Sequence, residues 1–562
     1  MAKRHRYIIN GFRSGWKTNL GPTVFETKYE KGVLIGDESW AECKNVYISP
    51  FGTIAKRLGC TKKHVTALEA PPVNIHQYWT SQEASHLLAF IPRTTTPTSA
   101  DALTYSASGA SGTWVSRGGV IRDWSGSDID NKLSIESFAD KLVISNGINQ
   151  PAYWDAASAA FTSMPSTCYP AAAIKGYKNY LFLLNTVEAG GTTFPGRARW
   201  CKAGDAFTAA SWPAAYYKDI EADDGDHFVG AALRGDSLIC FKQNKIYAID
   251  YIGGPWMFDW SVRPSGRGCV SGNSLVPVNN DLVFLAKDGF YKFVGNDIVD
   301  ISYQIKDEVM NLHPDYWHHV MGAAFEEENQ VWFTVPYAGK NRIGEQDPTS
   351  TRPCNEVWVY DYVKEYWTRY NLSLCSLGGW YRAEDLTIGD LTDVFFNYDW
   401  AWNDRFGTSG IRLLVAGDYG KFVTDQHLGG YDATSVNLSG GVDIDAWVKT
   451  RWIDFGDPTR TDRITRIIFV ITPEGESATW NIDVTIRTDW DDSDTGTAKT
   501  ISVVGDSKDV MVEKRIDWTF QARSFQFQFG TDKGGEPFTI HEIIVEYEPK
   551  SGVGWPGSYG YG

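Results

Sequence analysis

Short apolar runs recur along the middle of the chain: KLVIS, YLFLL, LICF, LVFLA, VWFTV and RLLVA. Each is followed by a polar, acidic or glycine-bearing turn and then by an alternating strand such as Phe290, Tyr291, Lys292, Phe293. Period-two alternation bounded by turn residues is the pattern of half-buried strands joined in hairpins. Two such hairpins stand in succession at DSLICFKQNKIYAID (236–250) and DLVFLAKDGFYKFVGN (281–296). Between residues 73 and 426 the unit returns every ~40–50 residues, the period range of propellers. The units are VNIHQYWTS to TYSAS, LSIESF to QPAYWD, IKGYKNY to ARWCKAG, FVGAALRG to YAID, SLVPVNN to KFVG, VMGAAF to YWTRY, and LGGWYRAED to KFVTD. The expected fold is mainly β, with a β-propeller of six or seven blades over 73–426.

The pattern changes on either side. Residues 1–72 are punctuated by Gly11, Gly15, Gly21, Gly32, Gly36, Gly52 and Gly59, and only VFETKY and KNVYIS read as strands. They predict an irregular N-terminal docking segment. Residues 427–550 return to alternation in six strand-length runs, from DAWVKTRWIDF to FTIHEIIVEYEP, and predict a C-terminal β-sandwich. The closing SGVGWPGSYGYG (551–562) is a Gly- and Tyr-rich tail that cannot bury a core alone.

Composition supports the strand reading: 23 Trp, 28 Tyr and 28 Phe stand against 6 Met, and aromatic residues suit pleated surfaces. No run of 18 apolar residues exists to span a bilayer. The start MAKRHRYIINGF lacks the apolar core of a secretory signal, so synthesis in a cytoplasm is expected. The formal charge is −16. It is uneven, because residues 1–72 hold 12 Lys/Arg against 6 Asp/Glu and the remainder is strongly acidic. An acidic body does not grip nucleic acid, whereas a cationic segment on it suits docking to an acidic protein. Lys56 and Arg57 are the candidate assembly contacts.

Little points to chemistry. The eight cysteines form no C-x-x-C pair, and no G-x-S-x-G, phosphate loop or H-E-x-x-H occurs. His313, His318 and His319 form the nearest metal-like cluster, but adjacent histidines on a strand face opposite ways. Asp489, Asp491, Asp492 and Asp494 fail the calcium-loop pattern because Asp494 stands where Gly is required; Asp223, Asp224 and Asp226 read likewise as a solvated turn. The sequence assigns no catalytic, cofactor or metal residue. It singles out Asp288 and Gly289 as a propeller turn in which Gly289 supplies positive φ. The long segments 186–199 and 338–353 read as loops outside the repeat, candidates for gates or partner contacts.

The run from Leu233 to Ser302 resembles the propeller core of tail proteins of short-tailed bacteriophages, the tail nozzle (tail tubular protein B) and the tail stabilisation or hub protein. The resemblance rests on Phe241-Lys242, Ile246-Tyr247, Gly266, Gly268-Cys269, Ser274, Leu285, Asp288-Gly289 and Tyr291. Asn45, Gly52, Lys56, Arg57 and Gly59 in CKNVYISPFGTIAKRLGC, and the closing WVKTRWIDFGDP and FTIHEIIVEYEP, extend it to all three regions. It implies a homohexameric ring in the virion tail that conducts phage DNA and joins a head-to-tail adaptor to a fibre, spike or needle. The expected protein is structural rather than enzymatic and has no cofactor. With an acidic body, the channel should be acidic and let phosphates slide past. A different class, an extracellular propeller lectin or glycosidase, remains as the alternative, since such enzymes place two or three carboxylates at the channel mouth.

Overall fold

The structure, a computed structural model, describes residues 5–550 apart from 11, 13, 19–27, 31–32, 36–38, 83, 94–98, 107–112, 125–131, 221–224, 255–256, 264–265, 344–346, 382–411, 429–431, 434–440, 456–458, 474–478, 492–495, 505–510 and 534–537. The expected tail at 551–562, together with Asp223, Asp224, Asp492 and Asp494, lies outside the described residues. The chain is mainly β and forms many small antiparallel sheets. It divides into two compact units, one of residues 1–60, 363–370 and 427–562, the other of 61–362 and 371–426.

The second unit carries one sheet for each of the seven sequence units. Five are complete four-stranded meanders, the first running Asn74–Trp79, Ser85–Arg93, Ser99–Ser106, Thr113–Ser116. The others begin at Ser134, Ala171, Phe228 and Val276. The sixth contributes Gly322–Phe325, Gln330–Val335 and Glu356–Asp361 to this unit, and the seventh holds Leu374–Tyr381, Arg412–Asp418 and Val423–Gln426. Its fourth strand is the short Cys60–Lys62, which arrives from far upstream to lie beside Val423–Gln426. Two-residue turns with positive φ at both positions, Ala139-Asp140 and Lys178-Asn179, close the first hairpins of the second and third sheets. That geometry matches the right-handed twist of the flanking strands.

Successive sheets share cores. Leu142, Ile144 and Trp154 of the second sheet pack with Tyr78, Leu88 and Phe90 of the first; Phe241 and Ala248 of the fourth pack with Phe284 and Phe293 of the fifth. The first and seventh sheets also pack together: Leu68, Ile75, Leu87 and Leu103 bury against Val415 and Val423. Gln77 holds the Tyr381 backbone at both ends, donating to its carbonyl at 3.0 Å and accepting from its N–H at 2.8 Å. The arrangement is propeller-like.

Segment 186–199 is not a loop outside the repeat. Tyr180–Glu188 and Thr192–Trp200 are long paired strands of the third sheet, joined at Gly190 and Gly191, which take φ of 79° and 78°. Glycines that read as loop markers serve there as a hairpin tip.

The first unit overturns the expectation that residues 1–72 stand apart as an irregular segment. His5–Asn10 pairs antiparallel with Phe538–Pro549, from His5 opposite Tyr547 to Asn10 opposite Glu542. Ser39–Lys44 pairs with Ala446–Thr450. The result is an eight-stranded sheet and a six-stranded sheet, each built from both ends of the chain. Tyr7, Trp16 and Trp40 are buried with Phe455, Phe529 and Tyr547, and the Phe455 and Tyr547 rings stack at 4.1 Å. The physical reason is apolar supply: Tyr7, Ile9, Phe12, Trp16 and Trp40 give the leader a face too hydrophobic to leave in water.

Candidate functional site

The first strands of all seven sheets line two cavities in the second unit, of about 400 and 460 Å³. The cavities share Leu133, Ile135, Gly272 and Asn273. The strands come close there because glycine removes the side chain where backbones meet. A Cβ on Gly272 would lie 2.5 Å from the Val229 carbonyl, and one on Gly378 would lie 2.9 Å from the Ile75 carbonyl.

The lining is polar, and its charged side chains are hydrogen-bonded. Lys175 meets Glu136 at 2.7 Å, and Glu136 also accepts the Gly176 N–H at 3.2 Å. Arg412 bonds Glu326. Lys132 donates to the carbonyls of Val73 at 3.0 Å and Cys375 at 2.6 Å, fastening the first and seventh sheets. Burial pushes the His76 imidazole down to about 4, and Lys175 adds to the effect. Burial likewise lowers His227, against the opposing pull of Asp226. Among the described residues the charged lining is Lys132, Lys175 and Arg412 against Glu136 and Glu326.

Of the lining residues the sequence singled out His318, and none of the bonded charges. The available signal was positional: each stands on the first strand of its unit or beside it, and Gly230, Gly322 and Gly378 recur on those strands.

Of the sequence-selected residues His318 lines the first cavity, and Lys56, Arg57, Asp288 and Gly289 are not among the lining residues. Arg57 is 3% exposed; its Nε donates to Asn45 Oδ1 at 2.8 Å and its terminal nitrogens bond both Asp432 oxygens. Lys56 is 3% exposed and donates to the Lys533 carbonyl. Both expected assembly contacts are therefore turned into the first unit, where burial against ready acceptors outweighs solvation. Asp288 does lie in the turn between Asp281–Ala286 and Gly289–Val294. Burial works against its charge, but the Tyr291 hydroxyl at 2.8 Å and Arg267 at 2.9 Å prevail and hold the carboxyl below its usual range. Gly289 does not take positive φ. Its role is close approach, because a Cβ there would lie 2.6 Å from Ser302 Oγ.

His318 and His319 are not on a strand but on a 3-10 turn, Pro314–His319, with ring centroids 4.1 Å apart. Burial, with Lys132 and His318 nearby, pushes His319 down to about 3. Among the described residues no group of three His, Cys, Asp or Glu side chains is placed to hold a metal ion. Among them too, no helix is long and apolar enough to cross a membrane. Asp489 accepts the Arg523 N–H at 2.8 Å, and Asp226 accepts the N–H groups of Gln243 and Asn244 at 3.0 Å; both carboxylates serve turns.

Some of the residues that carry the resemblance, Lys242, Gly268, Cys269, Ser274 and Leu285, are neighbours in space. The Cys269 N–H donates to the Lys242 carbonyl at 3.0 Å, the Val270 N–H to the Leu285 carbonyl at 3.0 Å, and the Leu285 N–H to Ser274 Oγ at 3.2 Å. Gly268 leaves room for the same Lys242 carbonyl, which a Cβ would meet at 1.9 Å. Together they knit the fourth sheet to the fifth.

No known family model matches the chain, and no curated protein matches it. Solved structures give faint likenesses. An exo-β-1,3-galactanase from Phanerochaete chrysosporium with galactose is 8% identical, covering 87% of this chain and 100% of that one, at a TM-score of 0.23. The extracellular domain of a hybrid two-component system from B. thetaiotaomicron is 10% identical over 89% of this chain and 61% of its own, at 0.37. Saccharomyces cerevisiae Sqt1 is 7% identical over 66% and 98%, at 0.33. The expectation that the chain is not an enzyme is withdrawn: the structures that align with most of the chain include glycoside hydrolases. Likenesses this faint carry nothing about its chemistry, and a fold does not by itself assign or deny an activity.

Proposed function

We propose that the chain is a structural subunit of the tail of a short-tailed bacteriophage, and that its second unit is a closed ring of seven blades. The observation that carries this reading is the convergence of Lys242, Gly268, Cys269, Ser274 and Leu285 into one hydrogen-bonded joint. The mutual packing of the first and seventh sheets supports the ring. Cavities of 400 to 460 Å³ suit small ligands rather than a duplex. In this reading DNA therefore passes between copies, with six surrounding it and joining an adaptor above to a fibre, spike or needle below.

The test is to label the chain in purified particles and to prepare particles lacking it. The expected result is label at the tail, and filled heads that fail to deliver DNA when the chain is missing. Absence of the chain from intact particles would end the reading. A second reading, an extracellular saccharide-binding propeller, is favoured by the size and polar lining of the cavities. Binding or cleavage of a glycan by the pure protein, with the chain absent from particles, would establish it instead.

A further inference from the structure

His64 stands where the upstream strand meets the seventh sheet, on a strap of residues 61–72 that runs from that strand to the first sheet. Its Nδ1 lies 2.7 Å from the Thr66 carbonyl, to which it must donate. Its Nε2 lies 2.9 Å from the Val423 N–H, from which it must accept. The two partners require opposite roles of the two nitrogens, so only the neutral ring with its proton on Nδ1 satisfies both. The residue is 2% exposed and packs edge-on against Trp114 of the first sheet, with Phe422 beside it. One imidazole thus touches the strap, the last sheet and the first. Further bonds follow the same line: Lys63 N–H to the Val423 carbonyl and Leu68 N–H to the Lys421 carbonyl, each at 2.9 Å.

We propose that His64 is an acid-sensitive latch on the strap that joins the first and seventh sheets: taking up one proton at Nε2 turns an acceptor into a donor facing the Val423 N–H, and the strap releases. Burial holds the imidazole below its ordinary value against the pull of the Thr66 carbonyl, and the Lys62 ammonium adds to the lowering. The sign follows from that direction. The contribution is fully present above the unfolded histidine value, near 6.5, and is lost as the pH falls below it.

Other charged groups face the latch. On the strap, Lys62 lies 3.6 Å from the Phe422 ring centroid, Lys63 pairs with Asp425 at 2.8 Å, and Glu69 meets Arg93 of the first sheet. On the last sheet, Lys421 donates to the Glu69 carbonyl, and burial raises Asp418 while its own turn N–H groups oppose the rise. Asp418 is therefore the competing titrating group.

The experiment is amide hydrogen exchange of Val423 and residues 61–68 in the full chain between pH 7.5 and 5, corrected for intrinsic rates. The opening equilibrium should rise by up to about tenfold per pH unit below pH 6.5. In His64→Gln it should stay flat, while Asp418→Asn should keep the response. A flat profile in the unaltered chain, the same slope in His64→Gln, or its loss in Asp418→Asn overturns the latch. Should His64→Gln fail to fold, the imidazole resonances of the unaltered chain decide. The ring must show the Nδ1–H tautomer and titrate in step with Val423 exchange; the other tautomer, or a mismatch, overturns it.

Discussion

A Cβ on Gly289 would lie 2.6 Å from Ser302 Oγ, which cannot move freely because it accepts the Phe290 N–H at 2.9 Å and donates to Asp300 at 3.0 Å. Overpacking such a site should cost Gly289→Val about 2 kcal/mol. Gly289→Asn separates this cause from a turn requirement. Asn is tolerated in the left-handed region, yet here it should lose as much as Val in denaturant unfolding. Arg57 makes a second prediction. Arg57→Lys keeps the charge but loses the planar donors that serve Asn45 and both Asp432 oxygens, and should lower stability by about 2 kcal/mol, in the range for leaving a buried acceptor unpaired. A loss under 1 kcal/mol would mean that Asp432 finds water instead. At both residues the sequence named the position and missed its cause. A glycine looks the same whether it relieves backbone torsion or a steric neighbour, and a Lys-Arg pair looks cationic whether it faces solvent or a carboxylate hundreds of positions away.

Strands and turns were far more legible than their partners. All seven repeating units carry a sheet because alternation and turn residues are local properties, and LICF and LVFLA fall on the second strands of the fourth and fifth sheets. The pairing of Ser39–Lys44 with Ala446–Thr450 was hidden, since nothing in either strand specifies the other. The cavity lining was hidden for a related reason: it takes two to five residues from each of seven distant strands. Gly272→Ala tests how closely those strands are set. Its Cβ would press on the Val229 carbonyl at 2.5 Å, a backbone atom that cannot rotate away. The variant should lose about 2 kcal/mol and melt several degrees lower, with the loss shared by the fourth and fifth sheets. Unchanged melting would mean that the sheets shift apart without cost.

For the molecule as a whole, the division into units does not follow the order of the chain. Val363–Tyr370 sits within the span of the second unit yet belongs to the first, where Tyr366 and the Ile48 backbone share hydrogen bonds at 3.0 and 3.2 Å. Residues 427–550 expressed alone should therefore fail to fold, because they lack the strands at 5–10 and 39–44 and would leave sheet faces and edges open. Circular dichroism and exchange-protected amides on that fragment give the answer, and a cooperative melt would show the closing strands to be self-sufficient. Pairing of the two ends also sets a clock. Arg6 bonds Glu546 across 540 residues, so at a synthesis rate of roughly 5–20 residues per second the first strand waits about half a minute to two minutes for its neighbour. During that interval Tyr7, Ile9 and Trp16 leave the ribosome with their final cover not yet made, while the sheets of the second unit can already form. The nascent chain is thus most exposed to aggregation and proteases at its oldest end, and a holding chaperone would be needed there first.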